Sequence, residues 1–215
     1  MAGSKLPRHD EPPIDRPPRQ LRRDRRGAAP CEARVGVEVT SPDYPALIRS
    51  VPDFPEPGIL FRDITPLLLD AEACRAAVRE LAQWAAPREP DLLLAAESRG
   101  FILGGALAQA LDIGFVPARK PGRLPHDTLA VEYELEYGTD ALEVHTDSIF
   151  DGARVLVHDD LIATGGTARA KIDAVERLGG EVVGCAFLIE LEGLGGRGHI
   201  APHEMNALMS LPAQG

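Results

Sequence analysis

The spacing of apolar positions changes along the chain and marks off its elements. From Tyr44 onward, Cys74, Ala77, Val78, Leu81 and Trp84 follow the i, i+3, i+4, i+7 rhythm behind Asp70. This predicts a helix capped by Asp70 and stopped by Pro87 and Pro90. Leu92 to Ala96 is a short unbroken apolar run, which reads as a buried strand. Glu97-Ser98-Arg99-Gly100 turns it into a helix through Leu111, and a strand Phe115 to Lys120 follows. Strand, helix, strand at this spacing predicts a parallel βαβ unit.

Residues 121–127 are a loop rich in breakers. Beyond it Leu129, Val131, Tyr133, Leu135 and Tyr137 alternate with Ala130 and three glutamates. A period of two predicts a strand with one apolar and one mostly acidic face. Gly138-Thr139-Asp140 reads as a turn into a partner strand around Leu142 to His145. A strand Arg154 to His158, a Gly-containing loop, a helix to Leu178 and a strand Val182 to Leu191 complete the pattern. Gly179-Gly180 reads as a left-handed cap on that last helix. The expected fold is α/β, with a mainly parallel central sheet flanked by helices and an inserted hairpin.

Composition changes this picture at the N-terminus. Residues 1–40 carry Pro7, Pro12, Pro13, Pro17, Pro18 and Pro30, the cluster Arg22-Arg23-Asp24-Arg25-Arg26 and little apolar periodicity. They are expected to form a disordered arm, with 41–215 a single domain. Residues 1–35 hold nine Lys/Arg against five Asp/Glu, a net of +4, while the rest of the chain carries −14. So acidic a body argues against general nucleic-acid binding. No apolar run approaches membrane-spanning length, and no secretory h-region leads the chain. Three cysteines without C-x-x-C spacing fit a reducing cytoplasm better than a disulfide framework or a zinc site.

The chemistry concentrates between Val155 and Thr167. An apolar strand runs into Asp159 and Asp160, then turns through Ala163-Thr164-Gly165-Gly166-Thr167 onto a helix. Glycines let the backbone approach an anion, two threonine hydroxyls add donors, and the helix dipole reinforces the attraction. Two carboxylates beside a phosphate site call for a ligand with hydroxyl donors, and a cis-diol supplies two. The spacing therefore predicts a ribose 5-phosphate, its diol on Asp159 and Asp160 and its phosphate on residues 163–167. Magnesium bridging through water would relieve the remaining repulsion.

H-D-D-L-I-A-T-G-G-T resembles the phosphoribosyl pyrophosphate motif of type I phosphoribosyltransferases. Four further blocks, in family order, resemble the adenine phosphoribosyltransferases: Phe54 to Pro66, Ala96 to Gly104, Ala118 to Pro125 and Tyr133 to Gly138. The likeness covers roughly residues 44–209. It implies a type I phosphoribosyltransferase fold with a flexible hood over about 121–141. It further implies adenine and phosphoribosyl pyrophosphate as substrates, substrate-bound magnesium with no direct protein ligand, and a homodimer.

Residue roles follow from the same likeness. Ser98 and Arg99 would hold pyrophosphate through a peptide of unusual conformation, the lesser alternative on pattern being a plain helix N-cap with a surface arginine. Arg119 and Lys120 would supply cations to the leaving group, where pattern alone suggests a solvated face. Leu60, Phe61, Arg62 and Ile162 would bind adenine, though an Ile59-Leu60-Phe61 run is otherwise core. Glu136 would give acid–base help at the purine ring, whereas strand alternation places it with solvent-facing Glu132 and Glu134. His158, Pro121 and Ala130-Val131-Glu132 depart from common family patterns.

Other readings stay open at this point: xanthine or hypoxanthine specificity, and a phosphoribosyl pyrophosphate-sensing regulator that binds nucleic acid through the arginine-rich arm. Gly193 to Gly198 formally fits G-x-G-x-x-G, but His199-Ile200-Ala201-Pro202 is a poor start for the helix a dinucleotide site needs. His199 and His203 have helical metal spacing, with Pro202 between them and no third ligand.

Overall fold

A computed structural model describes residues 41–134 and 139–214. The N-terminal arm and Glu136 lie outside the described residues. Five strands, β3 (Leu92–Ala96), β4 (Gly114–Ala118), β7 (Arg154–Ile162), β8 (Glu181–Glu192) and β9 (Met205–Pro212), form one parallel sheet in the order β4-β3-β7-β8-β9. Because both faces of a parallel sheet are covered, its central strands read as unbroken apolar runs. In β3, Leu92, Leu94 and Ala96 face one core and Leu93 and Ala95 the other.

The expected helices form where their caps put them. In α2 (Ala71–Ala85) the Asp70 carboxylate accepts from the Glu72 and Ala73 N–H groups, at 3.0 Å each. Its buried stripe runs through Ala73, Ala76, Ala77, Leu81 and Ala85, while Cys74 and Val78 are only half-buried. α3 (Arg99–Leu111) joins β3 to β4 and α4 (Gly166–Arg177) joins β7 to β8. Gly179 adopts φ +84°, and the N–H groups of Gly179 and Gly180 return to the carbonyls of Glu176 and Val175. That is the left-handed cap the Gly-Gly pair predicts.

Three features differ from the sequence reading. β7 does not stop at His158 but continues through both acids to Ile162, because β8 pairs with it as far as Ile162↔Glu190. Thr139 and Asp140 are not a turn: they pair with Glu134 and Tyr133 in the hairpin of β5 (Thr128–Glu134) and β6 (Thr139–His145). Elements without a periodic signature also appear: a hairpin of β1 (Arg49–Pro52) and β2 (Leu60–Asp63), the short helix α1 (Thr65–Leu69), the edge strand β9, and a single turn α5 (Gly196–His199). Among the described residues no helix is long and apolar enough to cross a membrane.

Strand order fixes where a ligand can sit. From β3 the chain winds outward to β4, whereas from β7 it winds the opposite way to β8 and β9. The reversal falls between β3 and β7, and open α/β sheets bind ligands outside the carboxyl ends of strands at such a switch point.

Candidate active site

At that point lies a cleft of about 270 Å³, lined by the ends of β3, β4 and β7, the N-terminus of α4 and part of the hairpin. It brings together Ser98, Arg99, Arg119, Lys120, Asp159, Asp160, Ile162 and all of 163–167, so residues from three predicted blocks line one cleft. Gly165, at φ +90°, is the residue before α4. The first-turn N–H groups of α4 have no carbonyl four residues back within the helix. They form the N-terminus where an anion is favoured.

The two acids are held differently. Asp159 Oδ2 pairs with the buried Lys171 ammonium at 2.6 Å, and its Oδ1 accepts the Asp160 N–H at 3.0 Å. Asp160 Oδ2 lies 3.0 Å from Arg99 Nε, an ion pair that lacks hydrogen-bond alignment. Burial, and then the Asp159 charge, push the Asp160 carboxyl up to about 7. A carboxyl oxygen buried without a hydrogen-bond donor, as Oδ2 is, is an available acceptor for a diol hydroxyl or a metal-bound water.

The cationic wall is organised by Glu97. Its carboxylate accepts Arg119 Nε at 2.9 Å, the second Arg119 nitrogen at 2.7 Å and the Lys120 N–H at 2.6 Å. Burial opposes its charge, but these donors and cations outweigh it and hold the carboxyl below its usual value. The Glu97–Ser98 peptide is cis, the unusual conformation the family likeness implies, and Ser98 makes no side-chain cap to α3. Arg119 also bridges to β6, its N–H meeting Glu143 O at 2.9 Å. The hairpin contributes Tyr133 to the cleft, and burial raises the pKa of that hydroxyl.

Leu60, Phe61 and Arg62 do not line the cleft but abut it through Arg99. That guanidinium lies 4.7 Å over the Phe61 ring and reaches Arg62 O at 3.5 Å. The Arg62 side chain turns away, bonding Ser50 Oγ at 2.5 Å and the Pro212 carbonyl, and so ties β2 to the end of β9. Pattern reasoning missed Glu97, Tyr133 and Lys171 as site residues. A lysine on the buried face of a helix was the available signal for the last.

The glycine run 193–198 packs against the loop of residues 163–167. A Cβ on Gly196 would sit 2.3 Å from Ala163 O and 2.8 Å from Ile162 Cγ1, and His199 Nδ1 lies 3.0 Å from Thr164 O. Gly196 is the member of the run that serves close backbone approach, since a Cβ on Gly193, Gly195 or Gly198 would meet nothing within 4 Å, and the helix that begins at Gly196 has four residues. We expect Gly196→Ala to cost roughly 1–3 kcal/mol of stability. It should also raise the KM for a phosphorylated substrate more than that for its co-substrate. Thermal unfolding and steady-state kinetics check both.

The phosphoribosyl transferase domain model matches residues 67–206, and the chain belongs to that family. An adenine phosphoribosyltransferase of Prochlorococcus marinus (strain MIT 9313) is 56% identical over 155 residues, covering 72% of this chain and 90% of the relative. The crystal structure of adenine phosphoribosyltransferase from Rhodothermus marinus DSM 4252 superposes with a TM-score of 0.76 at 57% identity, covering 78% of this chain and 96% of that one. That from Thermoanaerobacter pseudethanolicus ATCC 33223 gives 0.77 at 49%, covering 78% and 98%. Within the phosphoribosyltransferases, these likenesses place the chain among the adenine phosphoribosyltransferases.

Proposed function

We propose that the chain transfers the 5-phosphoribosyl group of phosphoribosyl pyrophosphate to adenine, giving AMP and pyrophosphate. The observation that carries this reading is the cleft itself: an acid pair at a helix-borne anion cradle, facing a cationic wall, in a chain of this family. The 5-phosphate binds the N–H groups and hydroxyls of residues 163–167, and the diol is accepted by Asp159 and Asp160. Pyrophosphate lies against Ser98, Arg99, Arg119 and Lys120. Adenine enters beside Ile162 and the Leu60-Phe61-Arg62 segment, whose main-chain groups read its amino and ring-nitrogen edge.

A ring nitrogen attacks the anomeric carbon as the bond to pyrophosphate breaks, and Glu136 exchanges the purine proton. The acid pair lies near the positive charge that builds on the sugar. Tyr133 and the hairpin exclude water once the hood closes. The donor set fits magnesium reached through the diol and through water on Asp159 and Asp160. Held that way, the ion would offset charge on the departing pyrophosphate. A homodimer and a cytoplasmic location belong to the same reading and rest on family likeness.

Pyrophosphate release measured with magnesium, phosphoribosyl pyrophosphate and each of adenine, hypoxanthine, guanine and xanthine tests the reaction. We expect a strong, selective response to adenine. Silence with every base, alongside intact phosphoribosyl pyrophosphate binding, would favour a sensing regulator.

A further inference from the structure

Lys171 takes no part in the reaction as drawn, yet it sits directly behind the acid pair. It lies in the middle of α4, among Ala168, Ile172 and Val175, and its side chain is 0% exposed. The ammonium donates to His158 O at 2.7 Å and to Asp159 Oδ2 at 2.6 Å. A buried ammonium is tolerated only when paired and hydrogen-bonded, so the helix face is committed to this contact. Asp159 is confined from two further sides. The Asp160 N–H occupies Oδ1, and Gly100 packs so closely that a Cβ there would lie 2.6 Å from that oxygen.

Adjacent carboxylates repel each other and any phosphorylated ligand, and the repulsion grows as water is excluded. Arg99 partly answers the charge of Asp160 but is 38% exposed and borders the cleft. Lys171 answers the charge of Asp159 from inside the core, where solvent cannot screen it. Resting on the functional reading above, we propose that Lys171 is a positioning residue for the phosphoribosyl diol. It cancels one of the two negative charges and fixes the Asp159 carboxylate at the cleft wall.

The test is a comparison of Lys171→Met, which removes charge and donors, with Lys171→Gln, which keeps an N–H donor. Phosphoribosyl pyrophosphate affinity is read by calorimetry with magnesium present, and the KM for adenine by kinetics. We expect affinity to fall by about tenfold or more in Lys171→Met and by less in Lys171→Gln, with the adenine KM shifting no more than about threefold. In an Asp159→Asn background the same Lys171→Met step should change affinity by less than about threefold, since the partner it acts through is gone. That double variant should also recover part of the melting temperature lost in each single one. If Lys171→Met does not fold, Lys171→Gln carries the comparison. Wild-type binding with equal affinity in the variants, or adenine KM rising in step with lost affinity, overturns the inference alone. Absence of phosphoribosyl pyrophosphate binding by the wild type overturns the functional reading with it.

Discussion

Asp159→Asn and Asp160→Asn are expected to fail in different ways, although the two acids are neighbours. Asp159 is the counter-ion of a fully buried lysine, so its loss leaves Lys171 uncompensated in the core. Breaking a buried pair from one side costs roughly 3–5 kcal/mol, a large share of a domain's net stability, so the variant should melt well below the wild type while staying folded in the cold. Asp160 has the opposite standing. Its folded pKa is raised to about 7, so between about pH 4 and 7 the folded state holds a proton that the unfolded chain has lost. Stability therefore falls as pH rises through that window, at no more than about 1.4 kcal/mol per unit. Asp160→Asn should remove this slope and leave a protein at least as stable as wild type above pH 7. Arg99, its partner, is 38% exposed and can be solvated in the variant. What Asp160→Asn should lose is binding. A charge-assisted bond to a diol hydroxyl is worth about 1.5–3 kcal/mol, hence roughly a 10–100-fold weaker hold on phosphoribosyl pyrophosphate. Thermal unfolding from pH 4 to 8 and calorimetry separate the two outcomes. Unchanged affinity in Asp160→Asn would remove it from the diol site.

Much of the frame was legible because it depends on local signals. Apolar strand runs, the Glu97–Gly100 turn into α3 and Gly179-Gly180 after α4 specify both crossover units, whereas the switch point that sites the cleft depends on the long-range pairing of β3 with β7. The edge strand β9 was not legible: Met205 to Pro212 is half-buried along most of its length, with no alternation to read. Nor was the continuation of β7 through Asp159 and Asp160, since polarity at a strand end looks like a loop until the pairing with β8 is known. The supporting contacts escaped for a further reason, that of distance along the chain. Lys171 meets Asp159 across 12 positions, Glu97 meets Arg119 across 22, and Gly196 meets Ala163 only once the loop after β8 folds back. The residues proposed to touch a ligand lie in compact motifs. Those that hold them in place are dispersed.

Glu136→Ala is expected to lower kcat by roughly 10²–10⁴ while changing the KM values little, the mark of a group that acts on a proton in the transition state rather than on ground-state binding. Strand alternation alone does not distinguish it from its neighbours. Tyr133 lines the cleft, whereas Glu132 is exposed. Glu132→Ala is therefore the informative control. If negative charge on the hairpin merely tuned the field around the site, both variants would lose activity to a similar, small extent, and added salt would blunt the difference. If Glu136 instead handles the purine proton, only its own variant should collapse, and Glu136→Gln, which keeps the shape but not the basicity, should be nearly as inactive. Steady-state kinetics of the three variants with adenine and phosphoribosyl pyrophosphate decide the matter. An active Glu136→Gln would transfer the proton to another group, with Asp160, whose carboxyl is pushed up to about 7, the first to test.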